Sequence, residues 1–167
     1  MKTLYLVRHA KSSWKFEELA DHDRPLNKRG RKAAPKMGKL LNELHIKPDL
    51  IVSSPAVRAI TTATLFAKEL AYNQEKIGVI DDIYGAGRDE LLQIIRKTPD
   101  QINSLMLVGH NNTLTDLGNY LSPKSVANIP TAGVMALEFK ANSWSEISQE
   151  SSRFVFFEYP KKLEEQE

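Results

Sequence analysis

An alternation constrains this chain most. Short apolar runs, bounded by turn residues, are separated by longer stretches with helical spacing. Residues 3–7, 50–53, 77–80 and 105–108 read as strands buried on both faces. Between the first two, Ala33, Met37, Leu40, Leu41 and Leu44 recur at offsets of 4, 7, 8 and 11, an amphipathic helix stripe. Asn27 is its candidate cap, and Pro35 inside it predicts a kink or a later start. Ser54 with Pro55 after it reads as the cap and first position of a helix running to about Leu70. Asp89 and Glu90 open a third helix, and Leu114, Leu117 and Leu121 mark a fourth. Two late strands, 134–139 and 154–157, follow without a helix between them. The predicted fold is α/β, a three-layer sandwich. Its central sheet is mostly parallel with an antiparallel edge strand, and helices cover both faces.

At 167 residues, with 41% hydrophobic and 26% charged side chains, the chain reads as one globular domain over residues 1–160, with a polar tail at 161–167. There is no cysteine, so thiolate catalysis, disulfides and Cys-ligated zinc are excluded. The first apolar run has four residues before Arg8 interrupts it. That is too short for a membrane span or a signal peptide, and a cytoplasmic protein is expected. A net charge of +2 gives no argument for nucleic acid.

In open α/β sheets ligands bind beyond the carboxyl ends of the strands. There the first strand delivers Arg8 and His9. The second delivers Ser53 and Ser54, with Arg58 in the following turn, and the fourth delivers Gly109, His110 and Asn111. Two histidines and two arginines on one edge suit a phosphoryl group, because guanidinium offers charge-assisted donors in a planar fork. Neighbouring arginines disfavour imidazolium, so His9 is expected to stay neutral and nucleophilic, with His110 stabilising the equatorial oxygens. Two arginines at one spot oppose a cation, so no metal is expected. Neither a Walker loop nor a dinucleotide fingerprint is present, so no cofactor is expected.

The stretches Leu6-Val7-Arg8-His9-Ala10, Ser53-Ser54-Pro55-Ala56-Val57-Arg58-Ala59 and Val108-Gly109-His110-Asn111 together resemble the histidine phosphatase superfamily (phosphoglycerate-mutase-like). Three more stretches are similar to its short SixA-type phosphohistidine phosphatases. They are Arg8 to Ser12, Asp23-Arg24-Pro25-Leu26-Asn27 with Arg29-Gly30, and Ile129-Pro130-Thr131-Ala132-Gly133. The resemblance covers nearly the whole chain. It implies that His9 is the phosphorylated nucleophile, that Arg8, Arg58 and His110 bind the phosphoryl group, and that Arg24, Lys11, Ser12 and Asn111 contact or support the substrate. It also implies a general acid after the third strand, where Asp82 is the candidate.

The expected activity is a metal-independent phosphatase acting on phosphohistidine of a signalling or phosphorelay protein. A small-molecule phosphomonoesterase on the same site is the alternative, and a phosphate-reading module without turnover is the rival of another class. The expected partners are therefore a phosphorylated protein or a small phosphate ester, with no nucleic acid and no membrane. The longest predicted connection, residues 10–26, has the length of a functional loop. Lys28, Arg29, Arg31 and Lys32 form a basic run, either a solvated helix start or a guide for an anionic partner. Trp14 is a groove wall, a docking aromatic or packing. His22 and His45 are expected to be exposed bystanders.

Overall fold

The computed structural model describes residues 1–165. Strand β1 (Lys2–Arg8) sends Leu4 and Leu6 to one face of the sheet and Val7 to the other, all fully buried. The chain continues through α1 (Lys28–Glu43), β2 (Leu50–Ser53), α2 (Val57–Glu69), β3 (Gly78–Val79), α3 (Arg88–Arg96), β4 (Ser104–Gly109) and α4 (Thr113–Leu121). It ends with β5 (Val134–Phe139), β6 (Ser152–Glu158) and α5 (Pro160–Glu165). The sheet order is β3-β2-β4-β1-β5-β6. The first four strands pair in parallel. Both late strands pair antiparallel, β5 against β1 and β6 against β5 at the edge.

Period-two alternation divides the core into two layers. Leu105 and Leu107 join α3 and α4 on one face, while Met106 and Val108 join α1 and α2 on the other. The first layer also takes Trp144 and Ile147 from the link between β5 and β6. That link reads as a polar loop, yet the Trp144 ring is fully buried and its Nε1 donates to Ile102 O at 2.7 Å. The expected tail is helical through Glu165, with Leu163 packed against the second layer. Gln166 and Glu167 lie outside the described residues.

Local chemistry sets the element ends. Asn27 caps α1, its side chain accepting from Gly30 N at 2.8 Å, and the helix runs unbroken through Pro35. The third strand is shorter than predicted, though Ile80 N still bonds to Ser53 O. Ser54 does not cap α2. Ala56 stays extended, the helix begins at Val57, and Ser54 is left facing the sheet edge. No helix among the described residues is long and apolar enough to cross a membrane.

Sheet order positions the site. Strands β2, β4 and β1 are neighbours and end level, with Ser53 opposite Val108 and Arg8 opposite Gly109. Whatever follows each strand therefore arrives at one place.

Candidate active site

His9 leaves β1 into a buried position and is 9% exposed. Its Nδ1 lies 2.8 Å from Ala10 O. A carbonyl only accepts, so Nδ1 carries the proton and Nε2 holds the free lone pair. Burial pushes the imidazole pKa down to about 3, despite the Ala10 bond, and His110, Arg58 and Arg8 push the same way. His9 is neutral at pH 7, as its arginine neighbours implied, although desolvation is the larger cause. Thr62 fixes this turn. Its Oγ1 accepts from Ala10 N at 2.9 Å and donates to Arg58 O at 2.8 Å, joining the exit of β1 to the first turn of α2.

His110 follows β4, with its ring centroid 5.2 Å from that of His9. Its Nε2 is 2.7 Å from Ser54 Oγ, so the serine expected as a cap holds the second histidine instead. Burial first, then Arg58, pushes its pKa down to about 4. Its Nδ1 and the Nε of Arg8 are buried without a hydrogen-bond partner among the described residues. Buried polar groups are usually paired, and an unpaired one costs about 1–3 kcal/mol. Both lie at the sheet edge that carries His9, whereas Arg96 Nε, also unpaired among the described residues, lies outside the site. Arg8 is oriented by a bond from Nη1 to Ile129 O at 3.0 Å.

Asp21 ties Arg58, Arg24 and Tyr84 together and was not anticipated from sequence. Its Oδ2 accepts from Arg58 Nη2 at 2.9 Å and from the Tyr84 hydroxyl at 2.6 Å, while its Oδ1 accepts from Arg24 Nη1 at 2.8 Å. Its carbonyl also accepts from Arg58 Nη1. The Tyr84 bond first, then Arg24 and Arg58, hold its carboxyl well below the usual range. Arg24 further donates to Ser12 Oγ and to Ser13 O, and Trp14 lies against its guanidinium at 3.2 Å from ring centroid to Cζ. Trp14 is thus an exposed plate over Arg24. His22 lies edge-on to Tyr84 at 5.3 Å, on the rim of the cluster. His45 is remote; it closes α1 with φ +61°.

The remaining expected residues divide. Arg24 and Ser12 join the cluster. Asn111 lies beside it, but its amide donates to Asn128 Oδ1 and Ile129 O and accepts from Thr115 N and Oγ1. Its hydrogen-bonding capacity goes to holding the loop that orients Arg8. Lys11 is exposed and lines a neighbouring groove. Asp82 is exposed on the turn 81–83, on the segment that carries Tyr84, and among the described residues makes no hydrogen bond or ion pair to the cluster. Among the described residues no group of three or more His, Asp or Glu side chains is placed to hold a metal ion.

The motif stretches meet in space. A Cβ on Gly30 would lie 2.1 Å from Lys11 O, so only glycine lets α1 press against the turn after His9. Ala132 N bonds to the carbonyls of both Arg8 and His9, seating the 129–133 stretch on the same turn.

The profile of the histidine phosphatase superfamily, branch 1, matches residues 4–85, a span carrying Arg8, His9 and Arg58. An uncharacterized chloroplastic protein of Arabidopsis thaliana is 35% identical over 154 residues, covering 87% of this chain and 70% of its own. A solved structure from Nakamurella multipartitia, provisionally assigned as phosphohistidine phosphatase SixA, superposes with a TM-score of 0.82. It is 25% identical, over 95% of this chain and 96% of that one. Its counterpart from Agrobacterium tumefaciens, assigned likewise, gives 0.77 at 29% identity over 95% and 99%. The chain belongs to the histidine phosphatase superfamily and is a phosphatase.

Proposed function

We propose that this protein is a metal-independent phosphohistidine phosphatase that works through phosphorylated His9. The observation that carries the reading is the bond from His9 Nδ1 to Ala10 O, which leaves Nε2 unprotonated beside buried cationic donors. Nε2 forms a bond to phosphorus as the P–N bond to the substrate imidazole breaks, and the leaving nitrogen takes a proton from solvent. Arg8 and Arg58 bind the phosphoryl oxygens, with Arg24 and Ser12 supporting. The arriving dianion favours protonation of His110, which then donates to the developing charge. Water next attacks phospho-His9, the P–N bond to the enzyme breaks, and inorganic phosphate leaves with His9 neutral again.

A protein-borne phosphohistidine is supported by the assigned activity of the two structural neighbours. They and this chain cover each other almost end to end. Asp82 is the proposed acid for ester substrates only. The imidazole of a phosphohistidine leaves readily once its nitrogen is protonated from solvent. The cytoplasmic setting belongs to the same proposal.

The test is phosphate release from a histidine-phosphorylated protein beside a panel of sugar phosphates and nucleotides, with wild type and His9→Ala in parallel and EDTA present. Faster release from phosphohistidine, retained in EDTA and lost in His9→Ala, is expected. Faster release from one small ester moves the substrate to metabolism. Loss of activity on chelation contradicts the metal-free mechanism.

A further inference from the structure

Next to the site lies a groove of about 590 Å³ that the phosphoryl chemistry does not use. Lys11, Arg29, Lys32, Lys36 and Lys161 line it, and Glu164 is the single carboxylate among the described lining residues. Pro130 and Thr131 complete one wall. The groove therefore shares its walls with the active site. Lys11 is two residues past His9, and the 130–131 segment lies between Ile129, which orients Arg8, and Ala132, which is bonded to the carbonyls of Arg8 and His9.

The α1 residues of the groove, Arg29, Lys32 and Lys36, fall on one stripe of the helix, away from the buried stripe of Ala34, Met37 and Leu41. Lys11, Arg29, Lys32 and Lys161 make no side-chain hydrogen bond or ion pair among the described residues. Helix stability does not account for Arg29. The first turn of α1 has no acidic residue, and cations there oppose the helix dipole. Unpaired cations converging on a cavity beside a phosphate site call for an anionic occupant.

We infer that this groove docks an acidic segment of the phosphoprotein, adjacent to the phosphohistidine that enters the site. The inference rests on the phosphohistidine reading above. It assigns substrate choice to charge beyond the phosphoryl group, acting through encounter and affinity rather than through the chemical step.

Three peptides of equal length test it, each with one phosphohistidine flanked by about four Glu, four Ser or four Lys residues. Wild type is expected to prefer the Glu peptide over the Ser peptide by roughly tenfold in kcat/KM, with the Lys peptide last. Raising salt from about 50 to about 300 mM should flatten the series. In Arg29→Glu/Lys32→Glu the preference should vanish or invert, while kcat on the Ser peptide stays within about twofold. Arg29→Gln/Lys32→Gln, with an unchanged melting curve, gives the same reading should the reversal disturb α1. Equal turnover of all three peptides by wild type, or a Glu preference surviving in both variants, overturns the groove assignment alone. A wild type that hydrolyses small esters but none of the peptides overturns the phosphohistidine reading, and the groove assignment with it.

Discussion

The two ends of β1 each carry a cation, and the protein treats them in opposite ways. Lys2, at the end away from the site, is 2% exposed and donates to Asp100 O, Ile102 O and Asn103 Oδ1. An ammonium has three donors, and all three are satisfied. Arg8, at the other end, donates one Nη to Ile129 O while its Nε stays unpaired, and His110 Nδ1 beside it is unpaired too. The same strand thus gives a fastener at one end and an open socket at the other. The satisfied end contributes stability, whereas the unsatisfied end gives up stability, at the place where the proposed function puts the phosphoryl anion.

Substitutions can break this contrast from either side. Arg58→Ala removes a donor from the socket. The expected loss in kcat/KM on phosphohistidine is about 10²–10³, with the melting temperature little changed. Asp21→Asn keeps the shape but drops the charge that aligns Arg58 and Arg24. Roughly tenfold is expected, because misplaced donors cost rate without being removed. Lys2→Met acts on the fastener. It leaves the partners of the ammonium unpaired and should lower stability by about 2 kcal/mol in a denaturant titration, with turnover at 25 °C unchanged. Asp82→Asn should be the smallest, with less than about a twofold change on phosphohistidine in steady-state assays. A large loss there would place a proton donor at the socket that the geometry does not supply.

The socket was more legible in sequence than the frame that aligns it. Apolar runs end in Arg8-His9, Ser53-Ser54 and Gly109-His110, and strand ends are where an α/β sheet places its chemistry. Asp21 and Tyr84 were not legible. They are 63 residues apart, and only the sheet order brings the loop before α1 to the turn after β3. Ser54 was misread because Ser-Pro is a strong helix-start signal. Here Ala56 delays the helix, and the hydroxyl serves His110 instead. Asn111 sits where its motif placed it, yet its amide works as a strut. Residue type and position do not reveal which hydrogen bonds a side chain has already made. Trp144, in a polar stretch, became core because its one donor found Ile102 O.

The central claim is that His9 carries the phosphoryl group. Rapid quenching of the enzyme during turnover of ³²P-labelled phosphohistidine protein, followed by peptide mapping, tests it most directly. An acid-labile, base-stable label on His9 that forms and decays within one turnover, and is missing in His9→Ala, is the expected result. Turnover without any labelled enzyme, or a label on His110 in place of His9, would contradict the account.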